Sequence, residues 1–168
     1  MKHTGRTTLD VPLDRVDLSD WLFTLSDAEY QAAAPTAHRA AGITVQDGVR
    51  GTVNVEAIGG HLIIQHYREV TASPTHVEMH SRRSRVYLFH LVPAHLQVRW
   101  TMSATEQTAE TSEFLCTVEL ILSPLLRVLG GMSGLSPAIR RHTRIETVGF
   151  ARDIVRKAKA KPAPHAGV

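Results

Sequence analysis

The sequence predicts an α+β domain in which a curved antiparallel sheet of six or seven strands surrounds one long C-terminal helix. Residues 41–123 contain short segments of strand length separated by turn signals, and the connections are too short for the crossovers that parallel strands need. The stretch 136–159 then has no proline after Pro137 and is long enough for about six helical turns. A sheet with one apolar face needs a cover, and this helix is the element that can supply it.

The 168 residues indicate a single domain, 1–160, followed by an Ala/Lys/Pro-rich tail, 161–168, that we expect to be disordered. Apolar residues make up 43% and charged residues 21% of the chain, which is typical of soluble globular proteins. We find no secretory signal and no run of about 18 apolar residues, and Cys116 is the only cysteine. We therefore expect a cytoplasmic protein that does not insert into a membrane.

The basic character of the chain does not indicate nucleic-acid binding. The formal net charge is +3, and the arginines gather at 82–85, at 140–144 and along the last helix. Aromatic residues make up only 5% of the chain and do not accompany these clusters. We interpret the clusters as solvated surface and expect no nucleic-acid partner.

Ahead of the sheet, the sequence predicts a short strand and two short helices. The strand is placed at 7–13, with Pro12 favouring an edge position. The segment Asp17-Leu18-Ser19-Asp20 leads into the first helix at Trp21-Leu22-Phe23, and Ser26-Asp27 is suited to cap the second, Ala28–Ala34. Pro35 ends the second helix.

The turn signals divide the rest of the sheet into its strands. Asp47-Gly48 and Gly59-Gly60 are typical of two-residue hairpin turns. The basic stretch 82–85, Pro93-Ala94 and the polar stretch 104–111 are interpreted as the later turns. The predicted strands are 43–45, 49–58, 62–70, 77–81, 86–92, 96–103 and 113–122.

The segment 124–135 precedes the last helix and has several interpretations. It is apolar, but Gly130, Gly131 and Gly134 argue against a long helix. It is either a loop or short helix packed under the last helix, a mobile lid with glycine hinges, or an interface with a partner. The last helix is predicted to begin at Ser136, with the hydroxyl as its cap, and to end before Pro162.

Several local features resemble the START-like superfamily, also called SRPBCC, which includes polyketide cyclases and aromatases. They are Val11-Pro12-Leu13, the segment Trp21-Leu22-Phe23-Thr24-Leu25-Ser26-Asp27 with Tyr30, the Gly59-Gly60 hairpin and the terminal helix. The resemblance covers about residues 7–160 and implies the helix-grip fold, with a cavity between sheet and helix for a bulky apolar ligand. The main rival is a cone-shaped α+β fold of the NTF2 type, which usually places its helices first.

On the last helix, His142 and Glu146 are one turn apart and share a face, which Ile139 and Phe150 extend. If this face is turned toward the sheet, the carboxylate can orient the imidazole for general acid–base chemistry. A second apolar stripe through Val148 leaves open which face covers the sheet.

The strands supply further candidates. Ile63, Gln65 and Tyr67 share one face of their strand, where Gln65 and Tyr67 can fix a carbonyl or hydroxyl group of a ligand. The register of the strand 49–58 leaves Glu56 either outside or buried, and burial would raise its pKa. The residues predicted to contact a ligand are Gln65, Trp100, Ile63, Val98, Met102 and Phe150.

Other chemistries find no support in the sequence. His76 and His80 lie on one predicted strand, roughly 13 Å apart, which is too far to share a zinc ion. Nucleophile-elbow, phosphate-loop and dinucleotide motifs are absent, and Cys116 lies in mid-strand, where burial raises the pKa of a thiol. We therefore expect no metal and no cofactor.

The sequence and the resemblance together favour a cofactor-free enzyme of the polyketide cyclase or dehydratase type, acting in secondary metabolism on a hydrophobic small molecule. The predicted catalytic residues are His142, Glu146 and Tyr67. One alternative is a non-catalytic carrier or sensor with the same pocket. Another is a structural protein that uses 124–135 as an interface, and a homodimer stays open.

Overall fold

The computed structural model of the chain describes residues 1–132 and 134–161, with the backbone alone for 130–132. A short 3-10 turn, Leu13–Arg15, follows the first strand. The helices are α1 Leu18–Phe23, α2 Asp27–Ala33, α3 Pro124–Met132 and α4 Leu135–Ala160. The strands are β1 Lys2–Leu9, β2 His38–Gln46, β3 Val49–Ile58, β4 His61–Ala72, β5 His76–Leu88, β6 Val92–Thr108 and β7 Thr111–Ile121.

The seven strands form one antiparallel sheet in the order β1-β7-β6-β5-β4-β3-β2. Each strand from β2 to β7 pairs with its neighbour in sequence, and β1 closes the other edge by pairing with β7. Helix α4 packs against β1, β3 and β7, and α2 packs against both α4 and β2. The prediction of an α+β helix-grip fold, with a long C-terminal helix against an antiparallel sheet, is confirmed.

One long strand replaces two of the predicted ones. The segments 77–81 and 86–92 were expected to be separated by a turn, but they form the single strand β5 with a bulge between Ser81 and Ser84. The Ser84 hydroxyl donates to the Ser81 hydroxyl, which accepts a hydrogen bond from the backbone N–H of His66. Because a bulge takes up extra residues without ending the pairing, Arg82 and Arg83 project from the strand into solvent.

The turn between β5 and β6 also differs from the prediction. Phe89 and His90 form it, with φ values of 51° and 62°, and Pro93 lies within β6. Left-handed backbone at two non-glycine residues is uncommon, so the sequence carries no turn signal at this point.

The first strand begins earlier than predicted, at Lys2, and ends at Leu9. The predicted cap of α2 is confirmed, since Ser26 forms a capping box with Glu29. Helix α1 is capped by Asp17, whose carboxylate accepts from the backbone N–H of Asp20. Helix α4 is capped differently, since Gly134 is its N-cap, with φ 71°, and Ser136 lies inside the first turn.

The core lies between the concave face of the sheet and α4. The face of β6 that includes Val98, Trp100 and Met102 is buried, as its alternation predicts. The face of α4 that carries Ile139 and Phe150 is buried against it, whereas Val148 is 39% exposed. This arrangement decides the orientation of α4 that the sequence left open. None of the described helices is long and apolar enough to cross a membrane.

Candidate active site

Four ionisable side chains from distant parts of the chain meet between the sheet and α4. His38 is the first residue of β2, Glu56 lies near the end of β3, and His142 and Glu146 are one turn apart on α4. Each is at most 6% exposed, and one ligand-type atom from each lies within 4.8 Å of the others. We call these four residues the His/Glu cluster.

The members of the cluster surround a common centre. His38 Nε2 is 3.4 Å from Glu146 Oε1, and His142 Nε2 is 3.7 Å from Glu56 Oε2 and 3.9 Å from Glu146 Oε2. Hydrogen bonds between nitrogen and oxygen are normally about 2.7–3.2 Å long. Within the described part of the chain, neither Nε2 atom has a hydrogen-bond partner. Buried polar atoms rarely stay unpaired, so the centre is a place for a water, a ligand or an ion.

A second layer of side chains orients the cluster. The ring of Tyr30 stacks on that of His38 at a centroid distance of 3.8 Å. His38 Nδ1 is 2.6 Å from the Tyr30 carbonyl oxygen. A carbonyl only accepts, so Nδ1 carries the proton and donates. On the other side, the Tyr30 hydroxyl donates to Glu56 Oε1 at 2.6 Å and Gln65 Nε2 donates to Glu56 Oε2 at 3.1 Å.

Burial and neighbouring charges act in opposite directions on the pKa values of the cluster. Burial alone would lower the pKa of His38, but the Glu146 and Glu56 carboxylates more than offset it, so this pKa is raised. Burial alone would raise the pKa of Glu56. The His142 and His38 imidazoles, with the hydrogen bonds from Tyr30 and Gln65, reverse that effect and lower it. The expectation of a raised pKa for a buried Glu56 is therefore wrong, because burial brings it beside two histidines.

Two phenols complete the polar lining. Burial raises the pKa of Tyr30 and of Tyr67 well above the usual value, and the carboxylates of Glu56 and Glu146 add to the effect. Both side chains are therefore neutral and can donate a hydrogen bond.

The interior cavity beside the cluster is small. Its volume is about 10 Å³, which is close to the space that one water molecule occupies. The resemblance implied a cavity for a bulky ligand, but in this conformation core side chains fill the space, and a bulky molecule needs the sheet and α4 to separate. The cavity is lined by Asn54, Glu56, Ile58, Ile63, Gln65, Tyr67, Trp100, Val118, Leu120, Ile139, His142 and Glu146.

The structure brings most of the predicted site residues to this cavity. His142, Glu146 and Tyr67, which were predicted to be catalytic, all line it, and so do Gln65, Trp100 and Ile63 among the predicted ligand contacts. Three further predicted contacts are buried in the core but are not part of the lining, namely Val98, Met102 and Phe150. The Phe150 ring, for example, packs on the rings of Trp21 and Trp100, at centroid distances of 5.0 and 5.7 Å.

Sequence reasoning missed His38 and Tyr30. Tyr30 was noted only as part of the family resemblance, and His38 lies upstream of the point where the strand pattern was recognised. No local signal singled out His38, because the surrounding stretch also contains the polar residues Thr36 and Arg39.

Cys116 lies beside the cluster but is not suited to act as a nucleophile. Its sulfur is 4.0 Å from Glu146 Oε2 and accepts a hydrogen bond from Trp100 Nε1. Burial, reinforced by the Glu146 carboxylate, raises the pKa of the thiol well above its usual value.

The segment interpreted as a packed helix, a lid or an interface forms α3. Leu126 is half-buried and packs against the core, whereas Leu125 and Val128 are more than 60% exposed. Residue 133 lies outside the described residues. For 130–132, which include the proposed hinge glycines Gly130 and Gly131, only the backbone is described. The tail 161–168, apart from Lys161, also lies outside them.

Several solved structures have the same fold as this chain. The aromatase/cyclase Zhui from Streptomyces sp. R1128 is 12% identical, with a TM-score of 0.63, over 95% of this chain and 96% of that chain. The protein TTHA0849 from Thermus thermophilus is 10% identical, with a TM-score of 0.60, over 94% of this chain and 99% of that chain. At such identities the likeness shows the fold alone.

A di-domain protein gives a further match. The ARO/CYC BexL from the BE-7585A biosynthetic pathway is 17% identical, with a TM-score of 0.55, and the match covers 96% of this chain and 51% of BexL. This chain therefore spans about half the length of that protein. No protein-family model matches the sequence, and neither does any curated protein.

Proposed function

We propose that this protein is an enzyme of the polyketide cyclase or dehydratase type, which holds a largely apolar carbonyl compound between the sheet and α4. The observation that carries the proposal is the His/Glu cluster, in which two imidazoles and two carboxylates are buried beside an interior cavity. Burying four ionisable groups costs free energy that a structural role alone does not require. Clusters of this kind are typical of acid–base sites.

His142 is the proposed proton carrier. Its Nε2 atom lines the cavity and has no hydrogen-bond partner among the described residues, so it is available to a substrate. The Glu56 and Glu146 carboxylates, 3.7 and 3.9 Å away, stabilise the imidazolium that forms when the ring accepts a proton. Tyr67, as a neutral phenol in the lining, donates a hydrogen bond to the carbonyl oxygen on which negative charge develops.

The proposed reaction joins two carbons of one flexible molecule. His142 removes a proton from the carbon next to a carbonyl, the resulting enolate carbon attacks a second carbonyl, and the new alkoxide takes up a proton. Loss of water from that product completes a dehydration. No electron is gained or lost, so these steps need no redox cofactor, and holding the chain in a folded shape supplies much of the rate enhancement.

Substrate entry requires an open conformation. Ile139, in the first turns of α4, is one of the residues that line the cavity. Next to it, Ala138 packs so tightly on the β3–β4 turn that a side chain at Gly59 would lie 2.6 Å from it. Separation of α4 from this turn would widen the space beside His142. The aromatase/cyclases that share this fold are consistent with such a use of the interior.

Turnover of a model compound tests the proposal. A linear poly-β-keto thioester is incubated with the protein, and ring formation is followed by the appearance of aromatic absorbance and by mass spectrometry. The wild-type protein should accelerate cyclisation. His142→Ala should lose about 100-fold or more of that rate, which is typical of removing a general base, while binding, followed by tryptophan fluorescence, is retained. His95→Ala, at an exposed position on β6, is the matched control.

Each other outcome contradicts the proposal in a different way. Binding without acceleration by the wild-type protein indicates a carrier or sensor. Acceleration that His142→Ala leaves unchanged excludes the proposed proton carrier. If the wild-type protein does not bind the thioester, and native mass spectrometry detects no co-purifying apolar compound, the interface interpretation of α3 is favoured instead.

A further inference from the structure

We propose that the His/Glu cluster is a binding site for one divalent transition-metal ion, with zinc as the ion to which its ligands are best suited. The ligands would be Nε2 of His38, Nε2 of His142 and one carboxylate oxygen each from Glu56 and Glu146. The inference concerns the site of the proposed function but does not depend on the proposed reaction.

The spacing of the four ligand atoms supports the inference. Oxygen and nitrogen ligands of a tetrahedral zinc ion lie at about 2.0–2.2 Å from the metal and therefore about 3.3–3.6 Å from each other. His38 Nε2 is 3.4 Å from one oxygen of Glu146, and His142 Nε2 is 3.9 Å from the other and 3.7 Å from Glu56 Oε2. One ligand atom from each of the four residues lies within 4.8 Å of the others. Shifts of about 1 Å or less would close this shell around an ion, and the adjoining cavity of about 10 Å³ gives the side chains room to move.

The charge of the cluster also supports it. The carboxylates of Glu56 and Glu146 place two negative charges in the interior, where isolated charges are strongly unfavourable. A divalent cation cancels that charge within one ligand shell. Among the described residues, no lysine or arginine forms an ion pair with Glu56 or Glu146, so the cation would supply the missing charge.

The second layer has the form that metal sites usually have. A ligand histidine commonly donates its other ring N–H to a carbonyl or carboxylate, which fixes the tautomer and turns the free lone pair toward the metal. His38 does this with the Tyr30 carbonyl, so its Nε2 carries the lone pair. The hydrogen bonds from Tyr30 and Gln65 hold the Glu56 carboxylate in the same way.

A bound ion would change how the proposed reaction works. His142 would then be a ligand and could not accept a proton. The metal would instead polarise the substrate carbonyl as a Lewis acid, with the carbonyl oxygen either as a fifth ligand or in place of one carboxylate. Tyr67 would remain as the hydrogen-bond donor. The two schemes differ in one observable: only the metal-dependent reaction stops when the ion is removed by a chelator and resumes when it is returned.

Calorimetry tests the site without any substrate. The purified protein is treated with EDTA, dialysed and titrated with ZnCl₂. We expect one ion per chain in a single high-affinity step. Glu56→Gln and His38→Gln each remove a ligand with little change of volume and should weaken zinc affinity by at least about 100-fold. Tyr30→Phe changes only the second layer and should weaken zinc affinity by about 10–100-fold. His95→Gln, at an exposed histidine, should leave zinc affinity unchanged.

Two results would overturn the inference. One is an absence of high-affinity binding, which would mean that the cluster is stable without an ion. The other is binding that Glu56→Gln and His38→Gln do not weaken, which places the ion among the remaining histidines. Because neither readout involves turnover, failure of the metal site leaves the proposed acid–base reaction intact, and failure of that reaction leaves the metal site intact.

A spectroscopic measurement covers the case in which the buried variants fail to fold. X-ray absorption of the zinc-loaded wild-type protein should show four nitrogen or oxygen neighbours at about 2.0–2.2 Å, with outer-shell scattering from two imidazole rings. Substitution by Co²⁺ should give the intense visible bands of a tetrahedral ion. A six-coordinate spectrum, or scattering without two imidazoles, would contradict the assignment.

Discussion

His38 Nε2 lies 3.4 Å from Glu146 Oε1 and so links the first residue of β2, at one edge of the sheet, to the middle of α4. Both side chains are almost completely buried. Each balances the cost of burying the other, so removal of one leaves an uncompensated polar group inside the protein. The cluster therefore contributes to holding the helix against the sheet, besides any chemistry it performs.

The Tyr30 hydroxyl gives the first prediction. It donates a 2.6 Å hydrogen bond to the Glu56 carboxylate in the interior. Tyr30→Phe removes this donor and leaves a charged acceptor with one partner fewer, which should lower the free energy of unfolding by about 1.5–3 kcal/mol. Urea denaturation measures the effect. Tyr87→Phe, at a half-buried position on β5, should change stability by less than about 0.5 kcal/mol, and equal effects of the two variants would contradict the prediction.

Gly149 gives the second prediction, because α4 crosses α2 at this residue with almost no space between their backbones. A Cβ atom at position 149 would lie 2.1 Å from the Ala33 carbonyl oxygen. Gly149→Ala should therefore destabilise the protein by about 2 kcal/mol or more, although alanine alone would favour the helix by about 1 kcal/mol.

The matched control for Gly149 is Gly42→Ala on β2, where an added Cβ meets nothing within 4 Å. Its effect on thermal unfolding should be small. If Gly149→Ala raised the unfolding temperature, the close packing of α2 on α4 described here would be wrong.

Much of the fold was predictable because its signals are local. Alternation of apolar and polar residues identified the buried face of β6 that carries Trp100. The turns at Asp47-Gly48 and Gly59-Gly60 were recognised because their residues tolerate the positive φ values that they adopt. The bulge in β5 was not predictable, since Arg82-Arg83-Ser84-Arg85 has the composition of a turn and only pairing with both neighbouring strands keeps the strand continuous.

The site was predictable only in part. His142 and Glu146 were found together because their spacing is set by the helix itself. Their partners Glu56 and His38 come close to them only because of the register between β2 and β3 and the packing of α4 against the sheet. No local sequence pattern encodes either of these. The metal proposal could not arise from sequence spacing for the same reason, because its four ligands lie on the β2–β3 hairpin and on the distant helix α4.

Glu29 gives a prediction for acid stability. Its carboxylate accepts from the backbone and side chain of Ser26 and pairs with Lys157 and Arg156 at the end of α4. Partial burial alone would raise its pKa, but the Ser26 hydrogen bonds and the Lys157 ammonium lower it to about 2. A carboxyl group whose pKa is depressed by folding stabilises the protein above its unfolded-state pKa, near 4.3, and loses that contribution as the pH falls toward 2.

Glu29→Gln should therefore be less stable than the wild-type protein by about 1–2 kcal/mol at pH 6, after allowance for solvent screening of this half-buried pair. The difference should shrink as the pH is lowered from about 4.5 to about 2. Urea titrations at pH 6, 4 and 3 measure it. Glu110→Gln, in the exposed β6–β7 turn, should show no such change. A stability difference that is constant with pH would contradict the role given to Glu29.

Cys116 is a natural reporter of opening between the sheet and α4. It is the only cysteine in the chain, it is fully buried beside Glu146, and burial raises the pKa of its thiol. Both the low thiolate fraction and the lack of access slow its reaction with a disulfide reagent. We expect labelling of the native protein to be at least about 100-fold slower than in guanidinium, at a rate set by local opening. The comparison variant Cys116→Ser with Thr105→Cys, which carries an exposed thiol on β6, should react rapidly when native.

The labelling rate also tests whether a bulky substrate can enter. Access to the cavity beside His142 and access to Cys116 both require separation of α4 from the sheet, because Glu146 lies next to both side chains. Denaturant well below the unfolding transition should accelerate labelling only slightly if a local opening dominates, and steeply if global unfolding does. Rapid labelling of the native protein, equal to that of the exposed thiol, would mean that the closed interior described here is not the main state in solution. A steep dependence on denaturant would mean that no opening short of unfolding admits a ligand.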